Sequence, residues 1–417
     1  MTGSLTGLWQ RVPRWFLAIS DQGLVAILNL ALAVTVTQVA GLSTLGRFAV
    51  VTTTTTLMMG VARLLVTDPW LASRTAPTEP VPELRWLVAL AALGSAVVTG
   101  VVVLISCGGD DRWLITVPIA AAVVVQDFGR YLAFRVERAA GAFASDLGVL
   151  LVAAATFVVA VAVGRSGLTA VLLAWLVGLL AGILVLGGRL GGPFGPRGAG
   201  QFWQRFCRSL ATRLAFDTAA YMLGVSGSLY LLAYVGTARD VGLVRIVQTM
   251  FSPAALVVTG LTMWLVPFLA NRSPEHTGRV RTRASVWLAA VGLPLIALAV
   301  ILGPWFARMV FGVEQAPDFG ALALAGISTA AMAMAAPWIA AARVSGDYLP
   351  IAWSRAVAAI VTVVGMALVA GLRSTTGYLG LLAMQNVTVA IAAVLTVRHS
   401  EAAASRSDRV PEPLREH

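Results

Sequence analysis

The sequence has no lysine, so all 30 of its basic residues are arginine. Charged residues of any kind are scarce, at 12% of the 417 residues, whereas 58% of the residues are hydrophobic. Soluble domains usually contain about a quarter charged residues and about half apolar ones. The composition therefore excludes an ordinary soluble domain and predicts a protein embedded in a lipid bilayer.

Cysteine and histidine are also rare. The two cysteines, Cys107 and Cys207, are predicted at opposite membrane surfaces, so we expect no disulfide between them. The three histidines fall in predicted loops or the tail, and the sequence has no H-E-x-x-H, G-x-S-x-G or G-x-x-x-x-G-K-[ST] motif. We therefore expect no metal, no cofactor, no catalytic residue and no nucleotide-binding domain, that is, a protein that is not an enzyme.

The excess of 30 basic over 19 acidic residues does not indicate a nucleic-acid partner. The arginines are scattered through short loops along the whole chain, whereas nucleic-acid binding requires basic residues gathered on one face. We expect no nucleic acid to bind.

Twelve apolar segments, most of them long enough to cross a bilayer, run along the chain. About 20 apolar residues in a helix span the hydrocarbon core, and a helix satisfies its own backbone hydrogen bonds there. We therefore predict an all-α polytopic membrane protein with twelve transmembrane helices. The predicted spans are residues 18–40, 45–67, 86–107, 113–133, 146–164, 167–188, 213–236, 241–269, 284–307, 319–342, 348–371 and 375–397.

The arginines alternate between the two ends of these spans. One side carries 21 of the 30 arginines, and the other side carries six. Because cytoplasmic loops retain positive residues, the arginine-rich side is predicted to be cytoplasmic. Both termini then lie in the cytoplasm, and the protein is predicted to be a multi-pass protein of the plasma (inner) membrane.

The longest internal polar stretch, Arg189 to Arg213, divides the spans six and six. It contains Phe202, Trp203 and Phe206 among basic residues, so we expect an amphipathic segment that lies along the inner membrane surface. The predicted units are an N-terminal six-helix bundle (1–188), a cytoplasmic linker (189–212), a C-terminal six-helix bundle (213–397) and a polar cytoplasmic tail (398–417).

A shift of 198 residues places one hexapeptide on another. P-W-L-A-S-R at Pro69 to Arg74 falls on P-F-L-A-N-R at Pro267 to Arg272. Because each half contains an even number of spans, the two bundles would be related by a pseudo-two-fold axis along the membrane normal.

Ionisable residues within the predicted spans cost about 2.5–3.5 kcal/mol each at a helix centre. Those near the span ends either snorkel to the interface or face an internal cavity, and the two deeper ones favour a cavity. Asp127 also lies three residues from Arg130, so a local ion pair is the alternative interpretation for that pair. The residues near the ends are Asp21, Arg63, Asp217 and Arg245, and the deeper ones are Asp127 and Arg355.

Uncharged polar residues near mid-membrane include Asn29 and Gln248, for which hydrogen bonding between helices is the alternative role. The excess of arginine in the spans favours an anionic substrate, because guanidinium groups bind phosphate bidentately. The predicted substrate contacts are Arg63, Arg355, Arg130, Arg245, Asn29 and Gln248. The residues predicted to couple an ion or to pair with these arginines are Asp21, Asp127 and Asp217.

Three segments near the N-terminus carry a family resemblance. They are S-D-Q-G-L-V-A-I-L-N-L at Ser20 to Leu30, L-G-R-F at Leu45 to Phe48 and D-P-W-L at Asp68 to Leu71. These resemble the A-D-Q-x-L-x-S-x-x-N-F, L-G-x-x-x-F-G-x-F and E-P-L-L segments of Wzx-type polysaccharide flippases of the MOP exporter superfamily. The chain departs from that pattern at Ala26, Leu30 and Asp68.

The resemblance implies transport by alternating access. The implied substrate is a polyprenyl-pyrophosphate-linked oligosaccharide, moved from the inner to the outer leaflet for cell-surface polysaccharide synthesis. Arg63 is the preferred contact for the pyrophosphate. The implied partners are membrane lipids, a coupling H+ or Na+, and polysaccharide-assembly proteins.

Three alternatives stay open. The first is a small-molecule or drug exporter of the same superfamily (MATE-like). The second is a major-facilitator transporter, which normally carries a G-x-x-x-D-R-x-G-R-[RK] loop where this chain reads T-D-P-W-L-A-S-R-T-A-P. The third is a membrane glycosyltransferase or ligase, which the absence of a large predicted outer loop opposes.

Overall fold

The computed structural model describes residues 14–72, 77, 79–135, 139–190, 192–270, 274–314, 316–345, 349–372 and 374–407. All regular secondary structure in these residues is helical. The predicted all-α class is therefore confirmed.

Six long helices come first, and glycine and proline mark several of their ends. Gly41, with φ of 83°, forms the one-residue link between the first two helices, and Pro82 begins the third. The second helix continues through a π-helical turn (Arg63–Thr67) into Asp68–Ala72, and a 3₁₀ turn (Asp111–Ile115) precedes the fourth. The six helices are α1 (Arg14–Ala40), α2 (Leu42–Ala62), α3 (Pro82–Ser106), α4 (Thr116–Arg135), α5 (Ala139–Ala162) and α6 (Leu168–Leu190).

A short helix, α7 (Ala199–Phe206), precedes a second group of long helices. The first of these, α8 (Arg208–Met222), continues through a π-helical turn (Leu223–Gly227) into Ser228–Val235. A 3₁₀ turn (Ala370–Leu372) precedes the final helix, which extends past the predicted end of its span at residue 397. The others are α9 (Ala238–Ala270), α10 (Pro274–Phe311), α11 (Phe319–Ser345), α12 (Leu349–Leu368) and α13 (Thr375–Ser407).

Length and hydropathy identify these helices as membrane spans. Within the described residues, eleven helical stretches are long and apolar enough to cross a bilayer. The remaining predicted span, residues 241–269, coincides with α9, which has 33 residues. Large apolar side chains point outward from the helices, for example Ile105 near the end of α3, Leu184 on α6 and Ile301 on α10. Such outward apolar faces suit lipid rather than water, so the chain is a multi-pass membrane protein.

Close helix contacts depend on glycine. Gly178 and Gly182 form a G-x-x-x-G motif on α6. A Cβ atom on Gly178 would lie 2.6 Å from the carbonyl oxygen of Val149 on α5. The motif therefore allows close packing of α6 against α5.

The two groups of long helices meet mainly through α9, which packs against α1 and α2. We call the side where α1 begins the arginine-rich side and the other side the opposite side. Near the opposite side, Gly46 on α2 lies against the backbone of Ala238, and Gly242 on α9 lies against the carbonyl group of Leu42. A Cβ atom at either glycine would overlap the facing backbone. These contacts bring the backbones of the two groups together near the opposite side.

The linker helix α7 packs on the arginine-rich ends of α2, α3 and α4. Phe202 is 8% exposed and belongs to a buried cluster with Trp70 and Phe128. Its partner ring, Phe206, lies 4.9 Å away between centroids. The expectation that Phe202 lies along the membrane surface was therefore wrong, because the protein itself supplies the apolar surface that this side chain covers.

Candidate functional site

Arg130 of α4 lies at the centre of a buried cluster of charges. It pairs with Asp21 of α1, and its Nε lies 3.0 Å from Oδ2 of Asp146 on α5. Asp127, one turn earlier on α4, is 3.8 Å from Nη1. All four residues are less than 9% exposed. The guanidinium thus replaces its hydration shell with carboxylates from three helices.

Neutral polar groups fix this cluster in place. Gln126 Nε2 donates a hydrogen bond to Oδ1 of Asp146 at 2.5 Å. The neighbouring Ser145 Oγ donates to the carbonyl oxygen of Gly182 on α6 at 3.0 Å. These bonds hold α4, α5 and α6 together beside the charged groups.

Arg63, which follows α2, extends the cluster toward the arginine-rich side. Its Nε and Nη2 donate to Oδ2 and Oδ1 of Asp127 at 2.7 and 2.5 Å, which is the parallel two-bond geometry that arginine favours with carboxylates. The guanidinium carbon also lies 4.9 Å from the ring centroid of Tyr131. With a side chain 26% exposed, Arg63 is the least buried member of what we call the N-terminal charge cluster: Asp21, Arg63, Asp127, Arg130 and Asp146.

Arg63 is also the first residue of the π-helical turn Arg63–Thr67. Such turns disturb the regular backbone ladder and occur often at functional sites. Here the carbonyl oxygen of Leu65 accepts a hydrogen bond from Nε1 of Trp203 on the linker helix at 2.8 Å. The backbone that carries Arg63 is therefore in direct contact with the linker.

The second group of helices contains a similar arrangement. Arg355 of α12 places Nη1 2.7 Å from both carboxylate oxygens of Asp217 on α8. Its guanidinium carbon lies 5.6 Å from the ring centroid of Tyr221. In both groups an arginine thus contacts an aspartate and the tyrosine four residues after it on another helix.

Arg245 on α9 differs from these three arginines. It is half-buried, its Nε is buried without a hydrogen-bond partner, and no carboxylate in the described residues pairs with its guanidinium. A positive charge without a counter-ion in a bilayer is unfavourable, so this group is suited to accept an anion.

Helix geometry places Arg245 at the boundary between the two groups. Gly242 and Ile246 on α9 contact the first group. Val244 and Val247 belong to a core cluster made mostly of second-group residues, which also includes Ala49 and Val50 of α2. Position 245 is therefore flanked on α9 by residues of two core clusters, and each of these clusters contains residues from both groups of helices.

Two further polar residues continue from Arg245 along the same edge of α9. Gln248 and Ser252 follow at a spacing of three and four residues, which keeps them on one side of a helix. All three residues are half-buried. We call Arg245, Gln248 and Ser252 the α9 polar edge.

Threonines of α2 also lie at the boundary between the groups. Thr54 Oγ1 is 2.7 Å from the Tyr230 hydroxyl, which links α2 to the helix that continues α8. The preceding residue, Thr53, is half-buried. The polar residues at the boundary therefore come from both groups.

The predicted site residues are thus divided among separate places. The predicted Asp127–Arg130 contact is present, but the shorter bonds of both residues go to other helices. Arg63, Arg130, Asp21 and Asp127 form one cluster, Arg355 and Asp217 form a second, and Arg245 and Gln248 lie on the α9 polar edge.

Asn29 lies apart from the two clusters. It is half-buried on α1 and shares a helix face with Ala33 and Val36. Those two residues pack in the core cluster that includes Ile246 of α9. Asn29 therefore lies on a face of α1 that packs in the core of the protein.

Asp146 was not among the predicted site residues. The predicted span begins at residue 146, which would place this carboxylate at the membrane surface. The helix begins at Ala139 instead, so Asp146 lies about two turns inside α5. A polar pair, Ser145 and Asp146, between apolar runs was the signal in the sequence.

These features define an all-helical membrane protein with two groups of spans and charged clusters between its helices. No protein-family model and no curated protein matches the chain. Solved structures do resemble it. One is the inward-facing conformation of a multidrug resistance MATE family transporter of the MOP superfamily. It shows 12% identity and a TM-score of 0.61, and the match covers 94% of this chain and 99% of that one.

Two further structures are similar. An outward-facing conformation of a multidrug resistance MATE family transporter shows 13% identity and a TM-score of 0.58, covering 94% and 95% of the two chains. A mutant of the Vibrio cholerae MATE transporter VcmN shows 14% identity and a TM-score of 0.56, covering 94% and 96%. At these identities the comparison establishes the fold, and the chain has the fold of MATE transporters of the MOP superfamily.

Proposed function

We propose that the chain is a secondary transporter, not an enzyme, that moves an anionic, lipid-linked substrate by alternating access. The substrate class is a polyprenyl-pyrophosphate-linked oligosaccharide, moved from the inner to the outer leaflet of the plasma membrane, with both termini in the cytoplasm. Two observations support this proposal. Solved transporters adopt this fold in inward-facing and outward-facing conformations, and Ser20 to Leu30 resembles Wzx-type flippases.

The observation that carries the proposal is the contrast between Arg245 and the other span arginines. Arg63, Arg130 and Arg355 are neutralised by carboxylates, whereas Arg245 lies at the boundary between the two groups without one. A pyrophosphate at this boundary would supply the missing counter-charge through charge-assisted hydrogen bonds. Gln248 would contact the sugar hydroxyls next to it, as would Asn29 from α1.

Arg63 and Arg355 would act at a second stage in this proposal. Each is held by an aspartate, so the substrate anion has to compete with Asp127 or Asp217 for the guanidinium. A paired arginine also avoids an uncompensated charge when the transporter is empty. Arg63, being 26% exposed, is the more accessible of the two.

The N-terminal charge cluster is suited to ion coupling. It contains three aspartates and two arginines, so its formal charge is −1 when every carboxylate is ionised. A single H+ or Na+ would neutralise it, and buried clusters with an uncompensated charge favour such an exchange. Asp21 and Asp146 are the proposed sites, because Oδ1 of Asp21 is buried without a hydrogen-bond donor.

A MATE-like exporter of small molecules is the second candidate function, and the likeness to multidrug resistance transporters favours it. The two candidate functions differ in the charge of the substrate and in whether the substrate carries a lipid anchor. An unpaired arginine at the boundary favours an anion and disfavours the cationic drugs that an acidic boundary would attract.

The test is transport by the full chain in proteoliposomes with a fluorescent polyprenyl-pyrophosphate oligosaccharide. Arg245→Gln removes the charge and keeps much of the side-chain length, and we expect transport to fall about 10- to 100-fold, as expected for loss of a charge-assisted hydrogen bond. Arg245→Lys should retain part of the activity. The matched control, Arg165→Gln, removes an exposed arginine and should transport normally.

Equal transport by Arg245→Gln and the unaltered protein would refute the role of Arg245. No transport of the glycolipid, together with efflux of a cationic dye, would favour the small-molecule exporter instead. Coupling is tested separately by measuring transport with and without a proton or sodium gradient. One of these gradients should drive transport by the unaltered protein, and transport by the Asp21→Asn variant should not depend on that gradient.

A further inference from the structure

In the part of the chain that the structure describes, hydrogen bonds join the linker between the two groups of spans to the first group. The amide of Gly195 donates to the carbonyl oxygen of Pro82, at the beginning of α3, at 3.0 Å. Farther along, Nε1 of Trp203 donates to the carbonyl oxygen of Leu65 at 2.8 Å. The second bond reaches the π-helical turn Arg63–Thr67, so the linker is joined to the backbone that presents Arg63.

Apolar packing strengthens the attachment at the turn. Phe202 and Cys207 of the linker belong to one buried cluster with Val66 of the turn and Trp70 beyond it. Sγ of Cys207 also lies 3.9 Å from the carbonyl oxygen of Val66. Movement of the linker is therefore expected to disturb the turn.

The outward surface of the same linker is basic. Arg197, Arg205 and Arg208 are exposed, and Phe194, three residues before Arg197 in the sequence, is 58% exposed. An exposed aromatic ring next to arginines is typical of segments that contact the headgroup region of a membrane. The linker also lies on the arginine-rich side, next to the ends of α2, α3 and α4.

We propose that Arg197, Arg205 and Arg208 bind the headgroups of anionic phospholipids, and that this contact holds the linker against the π-helical turn that carries Arg63. Charge complementarity favours anionic lipids as the ligand, because each arginine near an anionic membrane surface raises the binding affinity about fivefold. The proposal does not depend on which substrate is transported. Its consequence is that lipid composition alters the backbone that presents Arg63.

Lipid contact is measured with a fluorescent label at Gln204→Cys, on the exposed face of α7, in the full chain in nanodiscs. Burial raises the pKa of both native thiols, Cys107 and Cys207, to about 11, so the introduced thiol reacts selectively near neutral pH. Brominated phosphatidylglycerol and brominated phosphatidylcholine are compared as quenchers. We expect stronger quenching by the anionic lipid.

The triple variant R197Q/R205Q/R208Q should lose this preference. A matched triple variant on the opposite side, R165Q/R239Q/R308Q, removes the same charge and should keep it. Equal quenching by the two lipids in the unaltered linker would overturn the proposal. The proposal would also be overturned if the preference for the anionic lipid disappeared in phosphate buffer but remained in chloride buffer of equal ionic strength. That result would show that the arginines bind free phosphate.

Coupling to Arg63 is measured by hydrogen exchange of residues 63–67. Anionic lipid should slow exchange there in the unaltered protein and have no effect in the triple variant. Trp203→Phe keeps an aromatic ring but removes the donor to Leu65, so it should retain lipid quenching and lose the slowing. Slowing that persists in Trp203→Phe would show that the linker does not transmit the effect.

Discussion

An arginine inside a bilayer is stable only when other groups replace its hydration. Arg130 achieves this with carboxylates from three helices, and Arg63 and Arg355 each use one aspartate and the face of a tyrosine. Removing one partner of such a pair leaves a buried charge alone, which is more costly than never having the pair. The arginines and aspartates therefore depend on one another for stability.

Arg130→Gln should destabilise the protein by about 3–5 kcal/mol, because it leaves Asp21 and Asp146 buried without their cation. The measurement is thermal unfolding of the purified protein, monitored through the loss of its monodisperse peak in size-exclusion chromatography. Adding Asp21→Asn to Arg130→Gln should recover part of the loss, since one uncompensated charge is removed.

Arg112→Gln is the matched control for this prediction. Arg112 also pairs with an aspartate, Asp110, at 2.7 Å, but its side chain is exposed. Unfolding of this variant should be indistinguishable from that of the unaltered protein. An Arg130→Gln protein as stable as the Arg112→Gln protein would contradict the structural role of the cluster.

The sequence identified most of these charged residues but not their partners. Arg63 and Asp127 are 64 positions apart, and Arg355 and Asp217 are 138 apart, so no helical spacing relates them. Asp127 and Arg130 are close enough for local reasoning, but their contact of 3.8 Å is longer than the bonds that each makes to another helix. Partners across helices follow from packing, which hydropathy does not encode.

At the scale of elements, the crossing of α2 and α9 is a close backbone contact between the two groups near the opposite side. Gly46 and Gly242 allow the two backbones to touch there. Under the proposed function this crossing has to open, and its strength would then set the balance between the two states.

Gly242→Ala should shift that balance. The added Cβ would overlap the carbonyl oxygen of Leu42, and overpacking of this kind costs about 1–3 kcal/mol, or roughly a 5- to 150-fold change in the equilibrium. Solvent labelling of a cysteine placed at Thr53 should increase from the opposite side. Gly94→Ala, where nothing lies within 4 Å of the new atom, should leave labelling unchanged. Unchanged labelling in both variants would show that this crossing does not control opening.

Element boundaries show what the sequence predicts and what it does not. Apolar runs predicted the fold class and the number of spans, because the thickness of the bilayer sets how long and how apolar a spanning helix must be. The π-helical turns at Arg63–Thr67 and Leu223–Gly227 were not predicted, since both lie within runs that continue as helix. The burial of Phe202 depends on contacts with the first of these turns, so it could not be predicted either.

At the scale of the whole molecule, two groups of spans meet along α9. The backbones of the two groups touch near Gly242 on the opposite side, and the polar residues at the boundary come from both groups. Rocking of one group against the other would open the opposite side and close the arginine-rich side. An anion held at Arg245 would then be carried from one leaflet to the other.

The most direct test is a pair of spin-label distances in the full chain in nanodiscs. One pair, Arg165→Cys with Phe319→Cys, spans the two groups on the opposite side, and the other, Glu79→Cys with Arg279→Cys, spans them on the arginine-rich side. With the pyrophosphate-linked oligosaccharide added, we predict that the first distance lengthens while the second shortens. Distances that stay fixed, or that change in the same direction, would contradict alternating access by this substrate.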